Sequence, residues 1–184
     1  MRLFAAVPLP EPARAGVTGL LERLRRRDLP VRWVRDDNLH LTLKFFGEVA
    51  PDRLEPIEEA IRVANTGSAP LAMRLDELGA FPNARRPRVL WVGLEAPPAL
   101  ELLQDRLERQ CGAIGFEPEG SPFRPHITLG RVLQGRRCPL RSVVEAGAPV
   151  EQIPFVATDL VLYESVSGDG GQRYEPRLTI GLGA

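Results

Sequence analysis

The chain has 184 residues, 43% hydrophobic and 26% charged, which are the proportions of one folded domain with a real core. Its 24 basic and 24 acidic residues cancel to a formal net charge of zero. That balance speaks against wholesale nonspecific coating of DNA, though not against a local basic cleft. No apolar run approaches the roughly 20 residues of a membrane span. The opening Met1-Arg2-Leu3-Phe4-Ala5-Ala6-Val7-Pro8 has no signal-peptide pattern, so a cytoplasmic location is expected.

Taken in chain order, Leu3 to Val7 reads as a buried strand that ends at prolines opening a helix. That helix is amphipathic around Leu20, Leu21 and Leu24, and its basic end (Arg23, Arg25, Arg26, Arg27) suits the helix dipole. A helix is expected over Asp52 to Asn65, with Pro56 confined to its first turns. Strands follow over Leu71 to Leu78 and Arg88 to Leu94, joined by a turn-forming loop from Pro82 to Pro87. Pro139 to Ala146 reads as a short helix. Phe155 to Val166 and Arg173 to Gly181 read as a hairpin closing across Ser167-Gly168-Asp169-Gly170-Gly171. Cys111 and Cys138 lack metal-ligand or redox spacing and are expected to be free thiols.

An internal echo runs through these elements. Leu90-Trp91-Val92-Gly93-Leu94, again followed by prolines, repeats the first strand. Leu102-Leu103 and Leu107 repeat the first helix, and His126-Ile127-Thr128-Leu129 repeats His40-Leu41-Thr42-Leu43. The offset is 87 residues for the strands and 86 for the histidines, and similar for the helices between them. A duplicated β-α-β unit is therefore expected: one domain over residues 1–184, made of two pseudo-symmetric lobes that each bring a histidine strand to a shared cleft. The fold class expected is α+β and bilobal, with two antiparallel sheets flanking the cleft and helices outside.

His40 and His126 are the chain's two histidines. Side chains alternate along a strand, so each histidine shares a face with a threonine (Thr42, Thr128) while the residues between enter the core. Two imidazoles and two hydroxyls around one centre suit phosphodiester hydrolysis. One neutral ring takes a proton from water, and one imidazolium protonates the departing oxygen. The hydroxyls donate to the non-bridging oxygens as charge grows there. This scheme calls for no metal and no cofactor. The residues themselves leave the two histidine roles interchangeable.

At this point the sequence resembles the 2H phosphoesterase superfamily, named for two His-x-Thr/Ser-x motifs. Asn38 to Val49 and Phe123 to Arg131, with Arg2 to Ala6 and Leu162 to Ser165, look like its RNA 2′,3′-cyclic phosphodiesterase (2′-5′ RNA ligase) branch. The resemblance runs from residue 2 to about residue 181. It implies opening of a 2′,3′-cyclic phosphate at an RNA end to leave a 2′-phosphate, without a metal, His126 activating water and His40 protonating the 3′-oxygen. It implies, secondarily, reversible 2′-5′ joining, with tRNA halves among the RNA partners. No membrane and no obligate protein partner are expected from the sequence.

Further candidates flank the motifs. Arg131 resembles a family position near the phosphate, although strict alternation puts it on the face opposite His126. Lys44, the single lysine, lies in phase with His40 and Thr42 and is read either as reaching a phosphate or as a solvated strand-end residue. Trp33, Phe46 and Phe123 are read either as base-stacking or as core, and Arg124 as touching the RNA backbone or simply exposed. Two other functions compete: 2H chemistry on a small cyclic phosphate or in trimming oligonucleotide 3′ ends, and a noncatalytic module that binds RNA ends.

Overall fold

The computed structural model describes residues 1–147, 149–168 and 171–183. In chain order it contains β1 (Arg2–Pro8), α1 (Glu11–Arg25), β2 (Val31–Trp33), β3 (His40–Glu48) and α2 (Leu54–Asn65). There follow β4 (Leu71–Phe81), β5 (Val89–Glu95), α3 (Pro98–Ala113), β6 (His126–Val132) and α4 (Leu140–Gly147). The chain closes with β7 (Pro154–Ala157), β8 (Asp159–Gly168) and β9 (Gly171–Gly181).

The prolines act where the sequence places them. Pro10 precedes α1, and Pro97 and Pro98 open α3, positions where a missing N–H costs the helix nothing. Helix α1 buries Ala13, Val17, Leu20, Leu21 and Leu24, and α3 buries Leu100, Leu103, Leu107 and Cys111. These are helical-period stripes that pack onto one face of the sheet.

The strands run in the order β7-β4-β5-β6-β3-β1-β8-β9, all pairings antiparallel, with β2 added against β6. The fold is therefore α+β, and its order mirrors about the centre, β6 and β5 answering β3 and β1. The two expected sheets are joined into one curled sheet. The seam is narrow: β3 and β6 share the register pair Leu41↔Ile127.

Leu3, Ala5, Val7, Leu41, Leu43, Leu90, Val92, Ile127 and Leu129 point under the helices and are buried. Alternation then leaves Phe4, His40, Thr42, Trp91, His126 and Thr128 to the open face. Burial of the apolar set contributes about 1.5–3 kcal/mol for each large side chain, and it holds the motif strands in register.

Three expectations need correction or completion. Phe155 to Val166 is not one strand. It divides at Thr158, with β7 joining β4 at one edge and β8 joining β1 in the other half. In the closing hairpin, Asp169 and Gly170 lie outside the described residues. Cys111 and Cys138 are free and buried, and burial pushes the Cys111 thiol up to about 11, a poor nucleophile. Among the described residues no helix is long and apolar enough to cross a membrane.

Candidate active site

The seam between the lobes brings the two motifs together. Extending the Leu41↔Ile127 register by one residue either way sets His40 opposite Thr128 and Thr42 opposite His126. Antiparallel partners stand about 4.5–5.5 Å apart at Cα, so both imidazoles and both hydroxyls share one small area of the open face. Each motif side chain is partly buried while Leu41 and Ile127 beneath are fully so.

Each imidazole is oriented in the same way. His40 Nδ1–H donates to the Asn38 carbonyl at 2.8 Å, and His126 Nδ1–H donates to the Arg124 carbonyl at 2.7 Å. A carbonyl oxygen only accepts, so Nδ1 carries the proton in both rings and Nε2 is left for other work. Asn38 is itself tied down, since its side-chain amide donates to the Gln172 carbonyl at 2.9 Å. Here Arg124 acts through its main chain, and its side chain is exposed.

Aromatic rings pack around both histidines. Phe4 lies 4.8 Å from His40 and Tyr174 lies 5.3 Å from it edge-on, while Tyr163 stacks on Phe4 at 5.4 Å. Phe81 meets His126 edge-on at 5.0 Å, with Trp91 at 5.9 Å. The Trp91 indole lies across Gly79, where a Cβ would stand 2.1 Å from the ring. Desolvation by these surroundings lowers His40 to about 4. The bond to Asn38 opposes that shift and the nearby His126 adds to it. His126 is lowered too, by burial, against the raising effect of the Arg124 carbonyl. Both rings are neutral in the free protein at neutral pH.

The sequence reading missed this aromatic set, and of the two readings it gave Trp33, Phe46 and Phe123 the structure supports the core one. Phe46 is 8% exposed and packs on Phe116 in the core, and Trp33 and Phe123 pack against the core edge. A signal was available: the offset of 87 residues that pairs the two strands also pairs Phe4 with Trp91.

Two β-bulges decide the fate of Lys44 and Arg131. In the β1–β3 ladder Ala6 pairs with Thr42 but Ala5 pairs with Lys44, leaving Leu43 extra. In the β5–β6 ladder Trp91 pairs with Thr128 but Leu90 pairs with Gly130, leaving Leu129 extra. An extra residue reverses the alternation beyond it. Lys44 is therefore not in phase with His40. It is 2% exposed beneath the sheet, where Nζ donates to Glu108 Oε2 at 2.7 Å and to the Glu117 carbonyl at 2.6 Å. The expectation that it reaches a phosphate is corrected on that ground. Arg131, by the same reversal, turns to the histidine face. Tyr174, whose hydroxyl is raised by burial, feels the opposing charges of Arg131 and Arg2.

The chain resembles known proteins in both sequence and fold. A family model described as LigT like Phosphoesterase matches twice in succession, over residues 7–91 and 92–174. The chain belongs to that family. An RNA 2′,3′-cyclic phosphodiesterase of Methanothermobacter thermautotrophicus is 39% identical over 132 residues, covering 72% of this chain and 71% of that protein. The crystal structure of TT0787 of Thermus thermophilus superimposes with a TM-score of 0.80 at 30% identity, covering 99% of this chain and 98% of that one. Escherichia coli LigT complexed with 3′-AMP gives 0.73 at 28% identity, over 98% and 97% of the two chains.

Proposed function

We propose that this LigT-like phosphoesterase opens 2′,3′-cyclic phosphates at RNA ends to 2′-phosphates by general acid–base chemistry between His40 and His126, within one domain of two related lobes. The observation that carries the reading is the pair of Nδ1–H bonds to main-chain carbonyls. They leave two Nε2 atoms, on opposite sides of one seam, free to trade protons with a phosphorus centre between them. The relative named an RNA 2′,3′-cyclic phosphodiesterase and the LigT complex with a 3′-nucleotide point to the same substrate class.

Water attacks phosphorus in line with the 3′-oxygen, and the P–O3′ bond breaks as the P–O(water) bond forms. His126 Nε2 takes the water proton and His40 Nε2–H gives its proton to the departing 3′-oxygen. The two rings thus exchange protonation states, and solvent returns the pair to its starting form. The anionic phosphate favours the one imidazolium the step requires, against the burial that disfavours it. Thr42 and Thr128 donate to the non-bridging oxygens and Arg131 holds the same charge from the rim.

No step calls for a metal. Hydrolysis of an RNA with a terminal cyclic phosphate is expected to continue in excess EDTA and to leave the phosphate on the 2′-oxygen. Loss of turnover on chelation, a 3′-phosphate product, or full turnover in His40→Ala or His126→Ala refutes the scheme. Reversible 2′-5′ joining, including of tRNA halves, follows the same path with a 5′-hydroxyl in place of water: the P–O5′ bond forms as the P–O3′ bond breaks, and the reverse attack by the 3′-hydroxyl restores the cyclic phosphate and the 5′-hydroxyl.

A further inference from the structure

The charge of this neutral chain is unevenly spread. No Asp or Glu occurs between Glu77 and Glu95, nor between Glu119 and Glu145. These two stretches are neighbours in space, because β5 pairs with β6. Arg85, Arg86 and Arg88 come from the first, and Arg136 and Arg137 from the second, while Arg32 pairs with Arg131 across β2 and β6. All seven are exposed, and among the described residues none of their side chains makes an ion pair or hydrogen bond.

They are held at one end of the sheet by main-chain bonds. The Val132 amide donates to Arg88, Leu133 to Pro30 and Leu140 to Ala84, so the β4–β5 loop, the start of β2 and the segment after β6 converge. The first loop is ordered rather than loose: the Arg85 and Arg86 amides donate to Asn83 Oδ1 at 3.1 and 3.0 Å. Arg136 follows a turn at Gly135, where φ is +75° and a side chain would be strained. Seven unpaired guanidinium groups kept together repel one another, and nothing in the core asks for that arrangement.

The cluster is continuous with the reaction centre. Arg131 lies five residues beyond His126 on β6, about 16 Å at strand rise; Arg32 lies beside Arg131, and Arg88 and the two loops lie beyond it. We propose that this end of the sheet is a phosphate track that grips the RNA chain leading into the cleft, so that the protein prefers polymeric RNA ends over cyclic mononucleotides. The inference rests on the reading of the site as an RNA-end phosphodiesterase. A polyanion entering at His126 is drawn along the two stretches that carry arginines and no carboxylate, and planar guanidinium forks match phosphate oxygens in pairs.

The test is the fourfold variant R85Q/R86Q/R136Q/R137Q, which alters none of the cleft residues. Turnover is measured on an RNA hairpin ending in a 2′,3′-cyclic phosphate and on 2′,3′-cyclic AMP, at several salt concentrations. The RNA is expected to lose at least about tenfold in kcat/KM through KM, with a flatter salt dependence by up to about 0.7 in log–log slope per lost contact. The cyclic mononucleotide keeps its rate. Equal effects on both substrates, or none on the RNA, overturn the track. Should the wild type turn over neither substrate, the phosphodiesterase reading fails, and the track is judged by fluorescence anisotropy with the same hairpin bearing a 3′-phosphate. Weaker binding by the variant then supports it, and unchanged binding or a preference for an acidic peptide overturns it.

Discussion

Lys44 Nζ and Glu108 Oε2 stand 2.7 Å apart beneath the sheet, joining β3 to α3 through an ion pair whose lysine is 2% exposed. Glu108 is further bonded by Gln104, which donates to its other oxygen at 3.1 Å. Removing one partner of such a pair leaves the other charge buried and typically costs about 3–5 kcal/mol. Lys44→Ala is therefore expected to lower unfolding stability by about 3 kcal/mol, read by urea denaturation. Folded enzyme kept well below its midpoint should retain its kcat. The double variant Lys44→Met with Glu108→Leu should regain most of the loss, because no orphan charge remains. A drop in kcat at unchanged stability would instead place the lysine in the cleft.

The same bulge logic makes Arg131 the cation to test. A charged hydrogen bond to a phosphate is worth roughly 1.5–3 kcal/mol, so under the proposed role Arg131→Ala should lose about 10- to 150-fold in kcat/KM. Arg131→Lys should fall between, since a point charge replaces a fork. Both variants should unfold at the wild-type midpoint, because the side chain is exposed. Wild-type rates in Arg131→Ala would remove this residue from the phosphate set.

Much of this was legible in the sequence because it depends on order and spacing. The repeated His-x-Thr-x, the proline-opened helices and the common offset follow from periodicity, and they locate the seam without coordinates. The bulges at Leu43 and Leu129 were not legible. Each is an ordinary leucine in an apolar-alternating run, and what makes it extra is the partner strand's register, a property of two segments at once. A one-residue slip exchanges the faces. That is why period-two counting put Lys44 in the cleft and Arg131 out of it. The aromatic shell was missed for a related reason, since Tyr174 reaches His40 only through the fold-closing β8–β9 hairpin.

The pH dependence follows from the two depressed imidazoles. The step needs one ring neutral and one protonated, so for the free enzyme the competent fraction peaks between the two pKa values. His40 sits at about 4 and His126 below 6.5. The kcat/KM profile is therefore expected to be bell-shaped with its maximum below pH 6.5, while kcat, measured with the anionic phosphate bound, should peak at higher pH. Stability moves in the opposite sense to a salt-bridged histidine. The folded pKa lies below the unfolded value near 6.5, so the unfolded chain binds more protons between those limits. Stability is full above 6.5 and is lost as pH falls toward 4, by on the order of 2–3 kcal/mol for His40. Denaturation of wild type and His40→Gln at pH 7.5 and 4.5 checks this: the wild type should lose more. A kcat/KM optimum above pH 7 would contradict the burial argument.

Gly79 offers a test of the aromatic shell that leaves every reacting group in place. A Cβ there would fall 2.1 Å from the Trp91 ring, and the ring is also in contact with Gly93, at 3.4 Å from a Cβ built on it. The indole cannot tilt away without pressing on His126 or Phe81, whose centroids lie 5.9 and 5.2 Å from it. Gly79→Ala should therefore destabilise by about 1–3 kcal/mol, the usual cost of overpacking, and should also displace the His126 ring. The displacement separates this variant from a purely structural lesion: kcat should fall and the His126 NMR titration should shift, while that of His40 stays put. Gly19→Ala is the matched control. It lies inside α1 with nothing within 4 Å of the added methyl, so it should leave kcat alone and raise stability by about 0.5–1 kcal/mol. If Gly79→Ala instead behaves like Gly19→Ala, Trp91 is filling space beside His126 rather than fixing its position.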